Sequence, residues 1–209
     1  LLLMALFLSD IVIALLGLFL DEGPTVSTAR LQAMLVLVPV LAAGLLAVHS
    51  GLTFPVVKKI EVSLQTWPRG LDGFRIVQIS DIHIGPILGR RFSEDLVARV
   101  NSLSPDLVAV TGDLVDGPVE KLRTEVEPFS LLRARHGVYF VTGNHDFYSG
   151  VEDWVARVRQ LGMRVLRNES VVLSQGADRF ALVGVDDHRA DMMSGAGGED
   201  LDAALEGID

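Results

Sequence analysis

Three apolar, β-branched-rich runs in this chain each end in a short polar motif, and that repetition constrains the fold more than any other feature. Phe74 to Ile79 precedes Asp81-Ile82-His83, Leu107 to Val110 precedes Gly112-Asp113, and Val138 to Val141 precedes Gly143-Asn144-His145-Asp146. Short runs of this kind are expected of parallel strands buried on both faces. Intervals of about 30 residues leave room for a helix between strands, so the pattern predicts an α/β fold of successive βα units. Carboxylate, imidazole and amide groups would then emerge from one edge of one sheet, where open α/β sheets bind ligands.

The intervals support this reading. Phe92-Ser93-Glu94-Asp95 reads as a helix start with Ser93 as N-cap, followed by an apolar face of Leu96, Val97, Val100 and Leu103. Val119 to Arg135 is predicted as the next helix, kinked or broken by Pro128. Val151 to Leu161 is amphipathic, with Trp154, Val155, Val158 and Leu161 on one side. Val165 to Leu173 and Arg179 to Val185 read as strands joined by a polar turn, and Leu201 to Leu205 begins a further helix. Upstream, the alternation of Val56 to Leu64 predicts an edge strand.

Hydrophobic residues make up 49% of the 209, and the excess is concentrated at the start. Residues 1–20 hold one charge, Asp10, and residues 31–48 hold none; each stretch approaches the roughly 20 residues that a helix needs to cross a bilayer. Asp21-Glu22-Gly23-Pro24-Thr25 lies between them as a turn. The expected organisation is a transmembrane helical hairpin over residues 1–50, a linker and edge strand over 51–73, and an α/β domain over 74–209. Lys58, Lys59 and Arg69 follow the second span whereas Asp21 and Glu22 occupy the turn. The positive-inside rule then places the α/β domain of this multi-pass membrane protein in the cytoplasm.

The chain has no cysteine, so any metal must be held by oxygen and nitrogen. A formal net charge of -9, with no Lys/Arg block interleaved with aromatics, argues against a nucleic-acid partner. The first predicted strand is not followed by a Gly-rich phosphate loop, which sets aside a nucleotide-binding domain of the usual kind.

Ile79-Ser80-Asp81-Ile82-His83-Ile84-Gly85, Thr111-Gly112-Asp113-Leu114-Val115-Asp116-Gly117 and Thr142-Gly143-Asn144-His145-Asp146 resemble the motifs of the calcineurin-like metallophosphoesterase superfamily. With the apolar hairpin they look like its membrane-anchored branch, the transmembrane proteins with a metallophosphoesterase domain. The resemblance covers roughly Pro55 to Val185 and implies a truncated metallophosphoesterase-type β-sandwich flanked by helices. It also implies two divalent ions, of Mn, Fe or Zn. Asp81 and His83 would bind the first, Asp113 would bridge both, and Asn144 would bind the second through its amide oxygen. His145 would contact the substrate phosphate or protonate the leaving oxygen, with Asp146 orienting it. Two ions roughly 3.5–4 Å apart stabilise both the attacking and the leaving oxygen of an in-line displacement.

Further candidates lie around the motifs. Arg90 and Arg91 follow the first one, and a guanidinium fork suits a substrate phosphate; the plainer reading is a solvated pair ahead of a helix. Asp116 is a candidate support for Asp113 or for a metal-bound water, against a simple Asp-Gly turn. His188 follows a strand on the same side of the sheet and is a candidate of the same kind, against a solvated loop residue. Asp186 and Asp187 are expected to cap a loop.

The family pattern also contains a later His and a Gly-His-x-His motif, and neither occurs in these 209 residues. The chain is therefore expected to be a fragment that binds metal weakly and hydrolyses poorly, from a parent that is a competent phosphoesterase. The expected substrate is a phosphorylated small molecule or lipid, with hydrolysis of a lipid-linked pyrophosphate, as by a UDP-diacylglucosamine hydrolase, as the pattern. The alternative is a catalytically inactive membrane protein that uses the same scaffold for binding or regulation.

Overall fold

The apolar runs ahead of the three motifs form a parallel sheet. In the computed structural model, β1 (Ile76–Ile79), β2 (Leu107–Thr111), β3 (Val138–Val141) and β4 (Arg164–Val165) pair in the order β1-β2-β3-β4. Val77 lies beside Val108 and Val108 beside Val138, so the three motifs leave the sheet at nearly the same level. Strand order that follows chain order, with right-handed crossovers, puts every crossing segment on one face. Helices α2 (Arg90–Ser102), α3 (Val119–Leu122) and α5 (Val151–Gln160) share that core. Leu96, Val97, Val100, Leu122, Trp154 and Val158 are buried there with Val108, Val110 and Phe140, each burial stabilising the fold by about 1.5–3 kcal/mol.

The other face carries an antiparallel hairpin, β5 (Glu169–Gln175) with β6 (Asp178–Gly184). Leu107, Tyr139, Leu166 and Leu173 are buried beneath it, with Phe74, Ala109, Phe180 and Leu182 packed around them. Alternate residues of β2 thus serve opposite cores, which is why its sequence is apolar throughout. Short helices α4 (Asn144–Tyr148), α6 (Ala190–Ser194) and α7 (Leu201–Leu205) complete the domain.

The structure corrects several expectations. Residues 54–64 form no strand; Val56, Ile60 and Val62 alternate, but all are exposed, and alternation without a neighbouring backbone to bond makes no sheet. Helix α2 starts at Arg90 with Gly89 as N-cap, and Ser93 is buried inside it. The predicted helix over Val119 to Arg135 breaks after Leu122 and resumes as a 3-10 turn, Glu127–Leu131, with Pro128 in its first turn. The predicted strand Val165 to Leu173 divides between two sheets, with Asn168 at a left-handed φ of 53° in the bend.

The structure describes residues 4, 6–8, 10–12, 26–51, 54–194 and 198–208. The chain divides into two units, Leu1–Val62 and Ser63–Asp209; the sheet, the hairpin and the helices described above belong to the second, and residues 54–62 to the first. In the first, α1 spans Val26–Gly51, 26 residues with Pro39 inside, and takes in the second expected membrane span. Most of the first expected span and the whole turn over 21–25 lie outside the described residues. Among the described residues no helix is long and apolar enough to cross a membrane.

Candidate metal centre

Beyond β1 and β2 the two chain segments stay bonded to each other. The N–H groups of Asp81, His83 and Ile84 donate to the carbonyls of Gly112 (3.3 Å), Asp113 (3.0 Å) and Leu114 (2.9 Å), and that of Asp116 donates back to Ile84 (2.9 Å). Ile82, Ile84, Leu114 and Val115 are buried and draw these loops onto the core. Asp81 is exposed and His83 half-buried, while Ile82 and Ile84 between and after them are buried.

The backbone is strained where the candidate ligands sit. Asp81, His83 and Asp113 take φ values of 53°, 51° and 52°, a left-handed conformation that costs a non-glycine residue about 1–2 kcal/mol. Such strain is retained where the surroundings over-determine it, and it gathers at functional sites. The surroundings here include two glycines in close approach. A Cβ on Gly112 would lie 2.7 Å from the Cα of Gly143, and one on Gly143 would lie 2.3 Å from Asp113 Oδ1. Only glycine lets the second and third motifs meet.

Asp146 joins those motifs from below. Its Oδ2 accepts the N–H groups of Gly143 (2.8 Å) and Asp113 (3.0 Å), and its Oδ1 accepts that of Leu114 (3.0 Å). In return Asp113 Oδ1 accepts the N–H of His145 (2.9 Å). Burial pushes the Asp146 carboxyl up to about 6, against the pull of its three N–H donors and with help from the charge of Asp113.

Asp116 lies above, at the open side. Its Oδ1 is 2.9 Å from Nδ1 of His83 and 2.6 Å from Nδ1 of His145, whose rings meet edge to face with centroids 4.5 Å apart. Burial disfavours the charged form of His83, but its bond to Asp116 and the charges of Asp116, Asp113 and Asp81 outweigh this and raise its pKa. Burial likewise disfavours the Asp116 carboxylate, and the two histidine bonds overcome it and hold its pKa below the usual value. A carboxylate on Nδ1 sets the tautomer and leaves Nε2 of each ring for a ligand or a proton.

His83, Asp113 and His145 offer ligand atoms that all lie within 4.8 Å of one another. Two imidazoles and a carboxylate suit Mn, Fe or Zn, so the donor set fits a divalent ion.

Residues 74–196, more than half of the chain, match the family described as calcineurin-like phosphoesterase. The chain belongs to that family. It is 43% identical over 161 residues to the transmembrane protein with metallophosphoesterase domain of Bos taurus and 39% identical over 158 to the protein of the same name in Danio rerio. Each match covers 73% of this chain and 36% of the relative, so the match spans about a third of these relatives' length. An uncharacterised metallophosphoesterase of Helicobacter pylori is 34% identical over 60% of the chain and 33% of its own. Calcineurin-like phosphoesterases are hydrolases that usually bind divalent metals, and the His83, Asp113 and His145 cluster is a candidate metal site.

Within this calcineurin-like domain the sequence-predicted residues are distributed unevenly. His83, Asp113 and His145 converge, with Asp116 bonded to both histidines. Asp81 stands on the same loop, exposed, with Ser80 Oγ donating to its Oδ2 (2.6 Å). Asn144 opens α4, half-buried between Gly143 and His145. Asp146 was expected to orient His145, yet both its oxygens take backbone N–H groups and the His145 ring is bonded by Asp116 instead. Arg90 is tied to Glu94 (2.8 Å) and to the Thr124 carbonyl (3.0 Å), Arg91 is exposed on α2, and His188 is exposed after β6. Asp186, expected as a loop cap, is 5% exposed and accepts from Thr142 Oγ1 (2.7 Å) and Arg167 Nε (2.9 and 3.0 Å). Thr142 immediately precedes the third motif, so this buried pair braces it; a strand-end Asp-Asp gave no sign of that.

Proposed function

We propose that these residues carry out metal-dependent hydrolysis of a phosphoester or pyrophosphate within a membrane-anchored protein. The observation that carries the reading is the single oxygen of Asp116 that holds His83 and His145 beside Asp113. His83 and Asp113, with Asp81 on the same loop and the Asn144 amide, would hold the divalent ions. When bound, the metal supplies charge stabilisation for the phosphoryl group and lowers the pKa of the attacking water. His83 presents Nε2 as a lone pair because its Nδ1–H donates to Asp116 Oδ1. His145, similarly held, uses Nε2 to hydrogen-bond the phosphate or to pass a proton to the leaving oxygen. Asp113 can bridge two ions because it offers two oxygens, one of them already oriented by the His145 N–H.

The anchor belongs to the same proposal. The stretch over residues 31–48 is free of charge, and relatives in Bos taurus and Danio rerio are named transmembrane proteins. An anchored domain meets membrane-borne phosphoesters at raised effective concentration, which favours a lipid-linked substrate. Hydrolysis of bis(p-nitrophenyl) phosphate is the test of the chemistry: stripping the protein with chelator should abolish it, adding Mn, Fe or Zn back should restore it, and Asp113→Ala should lower it at least a hundredfold. Retention of most activity by that variant would sink the assignment. Alkaline carbonate extraction tests the anchor, which predicts that the chain stays with the membrane.

A further inference from the structure

Beside the metal centre lies an open cleft of ≈ 730 Å³ lined by Phe147, Tyr148, Arg189 and Met192. We propose that this cleft is a substrate subsite for a flat aromatic group attached to the phosphoester, an inference that rests on the phosphoesterase reading above. Tyr148 follows His145 by one turn of α4, and the two rings meet edge to face at 5.8 Å and 79°. The cleft therefore opens on the His145 side of the centre, next to the group that would project from a phosphate held there.

The lining chemistry selects the ligand. Tyr148 is 66% exposed and Met192 78% exposed, large side chains left in solvent at the rim of a site, while Phe147 is buried as the floor. A tyrosine ring offers a stacking face, a thioether makes favourable contacts at aromatic edges, and a guanidinium both stacks on a ring and bonds a phosphate oxygen. An alkyl chain would gain general apolar contact from these side chains but neither the stacking face of Tyr148 nor the planar contact of the Arg189 guanidinium. Arg90, by contrast, is already engaged by Glu94 and the Thr124 carbonyl, which leaves Arg189 as the cation that lines a cleft beside the centre.

The test is calorimetric binding of phenyl phosphate, butyl phosphate and inorganic phosphate to the full chain, with Mn present and again after chelation. Phenyl phosphate is expected to bind about tenfold more tightly than butyl phosphate, the size of one aromatic stacking contact. Tyr148→Ala should remove that preference, Tyr148→Phe should keep it, and Arg189→Gln should weaken all three probes through the lost phosphate contact, phenyl phosphate most because it also loses the stacked guanidinium. Equal affinity for the two organic probes, tighter butyl binding, or a phenyl preference that survives Tyr148→Ala would overturn the proposal. A circular dichroism melt on each variant shows that the fold is kept. Binding is read apart from turnover: a chain that keeps the aromatic preference but hydrolyses no phosphoester defeats the enzyme reading alone, and hydrolysis without the preference defeats the subsite alone.

Discussion

Asp146 and Asp113 are locked across two strand ends: the backbone N–H of Asp113 donates to Asp146 Oδ2 (3.0 Å), and Asp113 in turn accepts the N–H of the residue preceding Asp146 (2.9 Å). A candidate metal ligand is thereby aimed by a buried carboxylate that is itself no part of the ligand cluster. Removing that carboxylate leaves three backbone donors, on Gly143, Asp113 and Leu114, without their partner. Asp146→Ala is expected to cost at least about 3 kcal/mol, since each orphaned buried donor costs about 1–3 kcal/mol, and urea unfolding would show it. Metal affinity, read by calorimetry, should fall as well, because Asp113 loses its aim.

The same residue gives a pH signature. Its carboxyl titrates near 6 in the fold against 3.8 for the ordinary group, so the native state binds the proton more tightly than the unfolded chain does. Its contribution to stability is therefore fully present below pH 3.8 and is lost as pH rises through about 6. Linkage over that window amounts to roughly 3 kcal/mol at about 1.36 kcal/mol per pKa unit. In metal-free protein, stability from urea unfolding at stepped pH should carry this fall, and Asp146→Asn should flatten it. Parallel curves for the two proteins would contradict the assignment.

Asp116→Asn should act on protons and on chemistry at once. The pKa of His83 is raised because the Asp116 bond and nearby carboxylates outweigh burial, so protons compete with a metal for His83 as pH falls through that raised value. With the neutral amide in place the His83 pKa should drop, and the competition should move to lower pH. NMR titration of the imidazole protons in metal-free protein reads this directly. Turnover should nevertheless fall ten- to a hundredfold, because both rings lose the group that fixes their tautomer.

Gly143→Ala should damage the site more than the fold. Its φ of -109° is open to any residue, so the obstacle is space: the new methyl would sit 2.3 Å from Asp113 Oδ1 and 2.5 Å from its nitrogen. Overpacking of this kind costs about 1–3 kcal/mol, and the relief available is displacement of Asp113. A melt lowered by a few degrees together with metal affinity reduced at least tenfold is the expected pair of results; unchanged affinity would show that the loops can separate without loss.

Asp186→Ala tests the brace behind the third motif. Arg167 would lose its bidentate partner while keeping Glu152 (2.7 Å), and Thr142 would lose its acceptor. Because Arg167 stays paired, the cost is that of the orphaned donors, about 1–3 kcal/mol, measurable as a shifted urea midpoint with an unchanged slope.

Much of this was legible in the chain. The runs ending at Thr111 and Val141 form largely buried strands as expected, whereas the run ending at Ile79 forms the edge strand, with Ile76 and Gln78 exposed; βα spacing with constant crossover hand puts Asp81, His83, Asp113, Asn144 and His145 at one sheet edge. Amphipathic spacing placed Trp154 and Val158 in the core. Other assignments depended on neighbours that local pattern does not contain. Val56 to Leu64 alternates like a strand, but hydrogen-bond partners decide a strand, and among the described residues this stretch is paired into no sheet. Gly89 rather than Ser93 precedes α2 because Ser93 is drawn into the core by the residues around it.

The amino-acid order specifies which groups reach the edge of the sheet, since strand periodicity and βα chirality are local rules that a reader can apply residue by residue. It does not specify which carboxylate serves which histidine. Asp146 is next to His145 in the chain and yet bonds the backbone of the second motif, while Asp116, 29 residues away, takes the imidazole. That exchange is settled by the close approach of Gly112 to Gly143, which brings buried N–H groups within reach of Asp146 and leaves the open side to Asp116. Donors brought together across separate loops are satisfied by whichever acceptor the packing puts nearest, and packing is a property of the folded chain.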